Sequence, residues 1–254
     1  LLQAMYGRNG ESPAAVIAPA TPNDCFDMAM EAVRIATVYR VPVFLMSDGY
    51  IANGSEPWRI PEVADLPDLH VEFAKTEEDF KPYLRDPNTL ARPWAIPGTA
   101  GIEHRIGGVE KADVTGEISY DPANHDFMVR TRAAKVAGIT VPDITVDDPT
   151  GDAEVLLLGW GSTFGPISAA VETLRVNGEK IAQAHIRYIN PFPKNLGSVL
   201  EKYSKVIVPE MNLGQLAMLL RSQYLKDVIG YNMVRGLPFT SAEIVEATME
   251  VLHD

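Results

Sequence analysis

The residues whose types and spacing could do chemistry are few. Gly159-Trp160-Gly161-Ser162-Thr163 stands between an apolar run and a helical pattern. Free N–H groups at a helix start favour an anion, so this stretch could cradle a phosphate. Its G-W-G-S-T-F order supplies two glycines of a dinucleotide fingerprint but puts Phe164 where the third belongs, and no P-loop lysine follows. A tight strand-to-helix turn accounts for the same residues. His104 and His125 lie in polar stretches, each without a second metal ligand at useful spacing; His70 and His185 are isolated. Cys25 has no activating base beside it, and there is no G-x-S-x-G elbow. Asp147-Asp148 and Glu77-Glu78 are paired acids of the kind found on solvated faces. Two loops remain. Asp48-Gly49-Tyr50 follows one apolar run, and Arg8-Asn9-Gly10-Glu11 precedes another, so either could border a cleft. No catalytic residue is assigned from spacing.

The elements that would position these residues begin at 13–52. The run Ala14–Ala18 stops at Pro19, and Thr21 can cap a helix with Pro22 at its first position. Asp24, three residues on, fits a capping-box spacing. Phe26, Ala29, Met30, Val33 and Val38 then give an apolar face at helical spacing through Tyr39. Val43–Met46 is a second short apolar run, ended by Ser47-Asp48-Gly49. Strands so short and uniformly apolar are expected to be covered on both faces, as in a parallel βαβ crossover with its chemistry at the strands' carboxyl ends.

Residues 53–100 carry seven prolines from Pro57 to Pro97 and charged runs, which leaves room for a helical turn near 76–85 and little else. An arm of this kind packs on a partner or has a function of its own. Residues 98–119 are glycine-rich. A helix is predicted from Pro122, capped by Asp121 or Asn124. Phe127, Met128, Ala134 and Val136 form its apolar side, Arg130, Arg132 and Lys135 lie on or near the other, and Gly138 ends it. After a linker over 139–152 come strand 154–160, a helix with Phe164, Ile167, Val171 and Leu174 on one face, a strand 181–189, and a strand 205–209. A helix from Asn212 through Leu225, a strand 228–234 and a final helix opened by the capping box Thr240–Glu243 complete the chain. Alternating strands and helices argue a mostly parallel α/β sheet.

The chain has 254 residues, 46% of them apolar and 22% charged, an ordinary globular profile with room for two domains. A net charge of −12 argues against a general nucleic-acid or anionic-membrane binder. The single cysteine, Cys25, cannot hold an iron–sulfur cluster or an internal disulfide and reads as a small buried hydrophobe. No apolar stretch approaches a membrane span and no signal peptide is visible, so a cytoplasmic location is expected. The first residue is Leu1, in what reads as the tail of a helix closed at Gly7, so the 254 residues are expected to be the C-terminal part of a longer chain.

Read in order, these stretches resemble the alpha subunit of the 2-oxoacid:ferredoxin oxidoreductases, and within that family its 2-oxoglutarate branch. The matching stretches are LLQAMYGRNGE, PAAVIAPATPNDCFDMAMEAVRIATVYRVPVFLMSDGYIA, PGTAGIEHRIGG, the H-x(4)-R-x-R-x-x-K spacing from His125 to Lys135, VLLLGWGSTFGPISAAVETLR, INPFP and PEMNLGQLAMLLR. The resemblance implies the end of a thiamine-diphosphate-binding (pyrimidine) domain with its arm over 1–150, followed by a transketolase C-terminal-like α/β domain over 151–254. It implies oxidative decarboxylation of a 2-oxoacid with coenzyme A to an acyl-CoA and CO₂, the electrons passing to ferredoxin. It implies a beta subunit holding the thiamine diphosphate, Mg²⁺ and a [4Fe-4S] cluster, in a dimer of αβ units. The family's substrate-binding Arg and Thr and its activating glutamate are expected upstream of Leu1, so no catalytic residue is carried over. Asn9 stands where many relatives have His. Arg8 and Asn9 are the candidate substrate contacts, a charged bidentate contact suiting a dicarboxylate, and Asp48 and Tyr50 the candidate cofactor contacts. Two other readings stay open: a scaffold subunit whose partners hold all the chemistry, and a thiamine enzyme of the transketolase or dehydrogenase type without ferredoxin.

Overall fold

The computed structural model describes residues 1–76, 78 and 80–253. Its architecture is mixed α/β with two sheets. In the first, β1 (Ala15–Ile17) lies between β2 (Val43–Leu45), parallel to it, and β6 (Tyr188–Asn190), antiparallel to it. Helix α2 (Asp24–Val38) makes the β1–β2 crossover, so the expected βαβ unit is present. β1 is buried on both faces, as its apolar run demands. β2 is not: it is an edge strand, and Phe44 and Leu45 are each 38% exposed. Neighbour number decides this, and a three-residue run does not encode it.

The helical period of α2 is correct but its phase is not. The core side is Met28, Ala32, Ile35 and Tyr39, whereas Val33 and Val38 face outward and Phe26 packs on Trp58 of the arm. Cys25 is half-buried, with its thiol directed at the Thr21 carbonyl 3.6 Å away. The start also differs from a capping box. Thr21 accepts weakly from the Asp24 N–H at 3.3 Å, but the Asp24 carboxylate turns away to the Ala20 N–H at 2.8 Å. It also forms a two-pronged ion pair with Arg187, with Nε to Oδ2 at 2.9 Å and Nη2 on Oδ1.

The second sheet has the order β3-β5-β4-β7-β8, comprising β3 (Val146–Asp147), β4 (Val155–Trp160), β5 (Ile181–Ile186), β7 (Lys205–Glu210) and β8 (Ile229–Asn232). Only the short β3, inside the expected linker, is antiparallel to its neighbour. Helices α5 (Phe164–Val176) and α8 (Ser241–His253) cover one face, with Ile167, Val171 and Leu174 buried as the spacing requires. The other face takes α6 (Leu196–Lys202) and α7 (Gln215–Tyr224). The last capping box is real. Glu243 accepts from the Thr240 N–H at 2.9 Å, and Thr240 Oγ1 accepts from the Glu243 N–H at 3.3 Å.

The predicted strand 181–189 is two strands. It breaks at Arg187, whose carbonyl accepts from the Ala18 N–H at 2.8 Å, and its continuation joins the first sheet as β6. One apolar core therefore runs from Val16 and Ala18 to Leu156, Leu158 and Val206. The arm has little regular structure, as its prolines require, and is pinned by isolated bridges Phe73–Trp94 and Tyr83–Val114. The turn expected near 76–85 includes Glu77 and Asp79, which lie outside the described residues. Helix α4 (Pro122–Ala137) is capped by Asp121, which accepts from the Ala123 N–H at 2.9 Å. Its Met128 and Val136 are buried while Phe127 is exposed, and Lys135, expected on the outer side, is drawn inward to the Arg40 carbonyl.

Candidate functional site

The carboxyl ends of β2, β4 and β7 meet around a cavity of about 240 Å³. Two loops that are 114 residues apart in sequence share its wall. Asp48 caps α3 (Gly49–Asn53), its Oδ1 accepting from the N–H groups of Tyr50 at 3.1 Å and Ile51 at 3.0 Å. Its Oδ2 accepts from the Ser162 N–H at 3.3 Å, in the turn after β4. The negative charge at the Gly159–Thr163 turn is thus the protein's own. The Trp160 N–H, likewise, goes to Thr163 Oγ1 at 3.1 Å. A diphosphate at this turn would compete with Asp48 for Ser162 and be repelled by it, so the turn does not fit that group. Gly159 is needed here for space. A Cβ on it would lie 2.6 Å from Ile167 Cδ1 and 2.8 Å from Thr163 Oγ1.

The third wall centres on Glu210, a residue for which sequence reading assigned no role. It is 0% exposed and accepts four hydrogen bonds. Oε1 takes Trp160 Nε1 at 3.2 Å, Asn212 Nδ2 at 3.0 Å and the Leu216 N–H at 2.8 Å; Oε2 takes the Ala217 N–H at 3.0 Å. The carboxylate satisfies the first free N–H groups of α7 and fixes Trp160 and Asn212 on the cavity wall. The available signal was an acid directly after the apolar run 206–209 and just before a helix start.

The predicted site residues fall in different settings. Asp48 lines the cavity, and Tyr50 stands beside it on α3, 56% exposed. Arg8 follows α1 (Leu2–Tyr6) and is half-buried. It donates to the carbonyls of Ser12 at 2.9 Å, Ala4 at 2.5 Å and Met5 at 3.2 Å, and its guanidinium lies 5.2 Å from the centroid of the Phe44 ring. That leaves one N–H on each terminal nitrogen for another acceptor. Asn9 is exposed in the adjoining loop. Among the metal candidates, His125 pairs with Glu110 at 2.7 Å and His104 rests on the Ile102 carbonyl at 2.8 Å. The described residues contain no group of three or more His, Cys, Asp or Glu able to hold a metal. His185, on β5, is half-buried, with both ring nitrogens shielded from solvent. Among those residues, too, no helix is long and apolar enough to cross a membrane.

Asp48 ties two loops together, so its removal has a measurable cost. Asp48→Ala is expected to lower stability by about 1–2 kcal/mol in denaturant unfolding, through loss of the α3 cap and an unpaired Ser162 N–H. A change below a few tenths would show that neither contact holds the wall.

Comparison with known proteins places these features. Residues 2–120 match the family described as pyruvate flavodoxin/ferredoxin oxidoreductase, thiamine diphosphate-binding, and residues 153–244 match pyruvate:ferredoxin oxidoreductase core domain II. The chain is 62% identical over 244 residues to the 2-oxoglutarate oxidoreductase subunit KorA of Mycobacterium tuberculosis, covering 96% of this chain and 37% of that protein. It is 30% identical to subunit alpha of 2-oxoacid:ferredoxin oxidoreductase 2 of Aeropyrum pernix, over its full length and 40% of that protein. Among solved structures it superposes on 2-oxoglutarate:ferredoxin oxidoreductase from Magnetococcus marinus, which has 2-oxoglutarate, coenzyme A and succinyl-CoA bound. The TM-score is 0.89 at 30% identity, covering 98% of this chain and 44% of that one. The chain thus spans about two fifths of the length of these relatives. With both domain matches in order along one chain, it belongs to the 2-oxoacid:ferredoxin oxidoreductase family, on the alpha-subunit side.

Proposed function

We propose that this chain is part of the alpha subunit of a cytoplasmic 2-oxoglutarate:ferredoxin oxidoreductase. The enzyme would convert 2-oxoglutarate and coenzyme A into succinyl-CoA and CO₂ and pass two electrons to ferredoxin. The observation that carries this reading is the 62% identity to KorA over nearly the whole chain, together with a fold shared with an enzyme holding that substrate and product. Thiamine diphosphate, Mg²⁺ and a [4Fe-4S] cluster would reside on a beta subunit, and αβ units would pair. In this division of labour residues 1–150 and 151–254 act as two domains that shape the cleft and the subunit interface. Asp48 and Tyr50 would form the wall facing the cofactor.

Arg8 and Asn9 are the proposed substrate contacts. The two uncommitted N–H groups of Arg8 suit one carboxylate of a dicarboxylic 2-oxoacid. The test uses the full-length alpha subunit co-purified with its beta partner, read as CoA-dependent reduction of ferredoxin or a viologen dye by 2-oxoglutarate. Arg8→Ala is expected to lower kcat/KM for 2-oxoglutarate by about tenfold or more, mostly through KM. Unchanged kcat and KM would remove Arg8 from the site. Absence of any 2-oxoacid-driven, CoA-dependent reduction in the wild-type complex would overturn the functional reading itself.

A further inference from the structure

Three cations from three separate segments converge where the arm crosses the βαβ unit and α4. Arg40, just past α2, adopts a left-handed backbone (φ 53°), donates to the Pro93 carbonyl and lays its guanidinium 4.2 Å from the Trp94 ring centroid. Arg92, on the arm, donates to the Pro82 carbonyl at 3.3 Å and lies 4.7 Å from the Tyr83 ring centroid. Lys135, on α4, donates to the Arg40 carbonyl at 3.2 Å. All three are half-buried.

Two nearby acids, Asp113 and Glu110, are already taken. Arg85, which shares the Tyr83 ring, pairs with Asp113, and Arg132 pairs with Glu110 at 3.3 Å. Among the described residues no carboxylate pairs with Arg40, Arg92 or Lys135, and each retains all but one of its N–H donors. The chain carries a net charge of −12, so this concentration of positive charge does not follow from its composition. The charges act on one another. Burial pulls the Lys135 ammonium down to about 8, helped by Arg92, Arg85, Arg40 and Arg132, and burial with Arg92 pulls Arg40 down to about 10. Partly desolvated like charges that repel one another are unfavourable unless an anion offsets them.

We propose that Arg40, Arg92 and Lys135 form a binding site for a phosphoryl group. Donors supplied by three separate segments suit a tetrahedral, three-oxygen dianion better than a single flat carboxylate. Of the three, Arg92 lines a cavity of about 370 Å³, which also includes Trp94, the ring Arg40 packs against. Of the acids on that wall, Asp86 is committed to the N–H groups of Asn88 and Thr89, while Glu72 stays exposed. The bound anion is either free phosphate or a phosphate borne on a nucleotide.

The experiment follows binding to the full-length chain with its partner subunit, by ³¹P line broadening and by thermal unfolding, against chloride at equal ionic strength. Inorganic phosphate is expected to bind saturably and raise the unfolding temperature. Lys135→Gln should weaken it by about tenfold, while Lys135→Arg, which keeps the charge, should retain it. Lys135→Gln removes a repelled charge, so its unfolding temperature without phosphate should not fall. Raising the pH to about 9 should weaken phosphate binding to the wild type, as Lys135 loses its proton, and leave Lys135→Arg unaffected. ADP binding well above phosphate identifies the nucleotide source, and equal binding identifies free phosphate. Adenosine binding as tightly as ADP would overturn the proposal. So would absence of saturable phosphate binding over chloride, equal binding by Lys135→Gln, or loss of subunit assembly in that variant as its sole defect.

Discussion

Glu210→Leu is expected to destabilise the chain by about 3–5 kcal/mol, enough to unfold a marginal domain. The leucine fills similar space but leaves Trp160 Nε1, Asn212 Nδ2 and the N–H groups of Leu216 and Ala217 without their acceptor in a fully buried place. Glu210→Gln tests the geometry at smaller cost. Its amide keeps one acceptor oxygen but turns a donor toward at least one N–H, for a loss of about 1–3 kcal/mol. Denaturant unfolding of both variants checks the order. A leucine variant within about 1 kcal/mol of wild type would show that the carboxylate does not organise the β7–α7 junction. The functional consequence follows from position: Trp160 and Asn212 line the cavity that Asp48 borders, so the same substitution loosens that wall.

The second large effect is on acid stability, and His185 causes it. Its ring packs edge-on against Phe164, with 5.2 Å between centroids, and its nitrogens are shielded from solvent. Burial, with Arg187 adding repulsion, holds its pKa near 3 instead of the ordinary 6.5. The folded state therefore refuses a proton that the unfolded chain accepts. The stability so contributed is complete above about pH 6.5 and is lost as pH falls toward 3, at about 1.4 kcal/mol per unit. Between about pH 6.5 and 4.5, before most carboxylates titrate, the loss should reach about 2–3 kcal/mol. His185→Leu is expected to flatten that limb while remaining at least as stable at neutral pH, because it removes two solvent-shielded polar nitrogens. Unfolding free energies measured over this range decide it, and an equal acid slope in the variant would acquit His185.

What the sequence determined by itself was local. The 3.6-residue period and the Asp121 cap placed α4, Ile167, Val171 and Leu174 marked the buried face of α5, and Thr240 with Glu243 marked the start of α8. The prolines of the arm forbade regular structure because each fixes φ and removes a donor. These features depend on residues three or four apart, so spacing reveals them. The ordered set of stretches also carried the family.

Tertiary structure decided what depends on distant partners. Helical period does not select which of two apolar faces of α2 goes inward; the packing of Val136, Ile139 and Tyr188 against Met28 and Ile35 does. Nothing local in the run 181–189 breaks it at Arg187. Its carbonyl is claimed by Ala18 and its guanidinium by Asp24, the latter 163 residues away. Two loops read separately as an anion cradle and a cleft border proved to be one wall, because the Asp48 carboxylate occupies the N–H of Ser162. Buried polar groups must find partners, and the fold alone determines which partners are within reach.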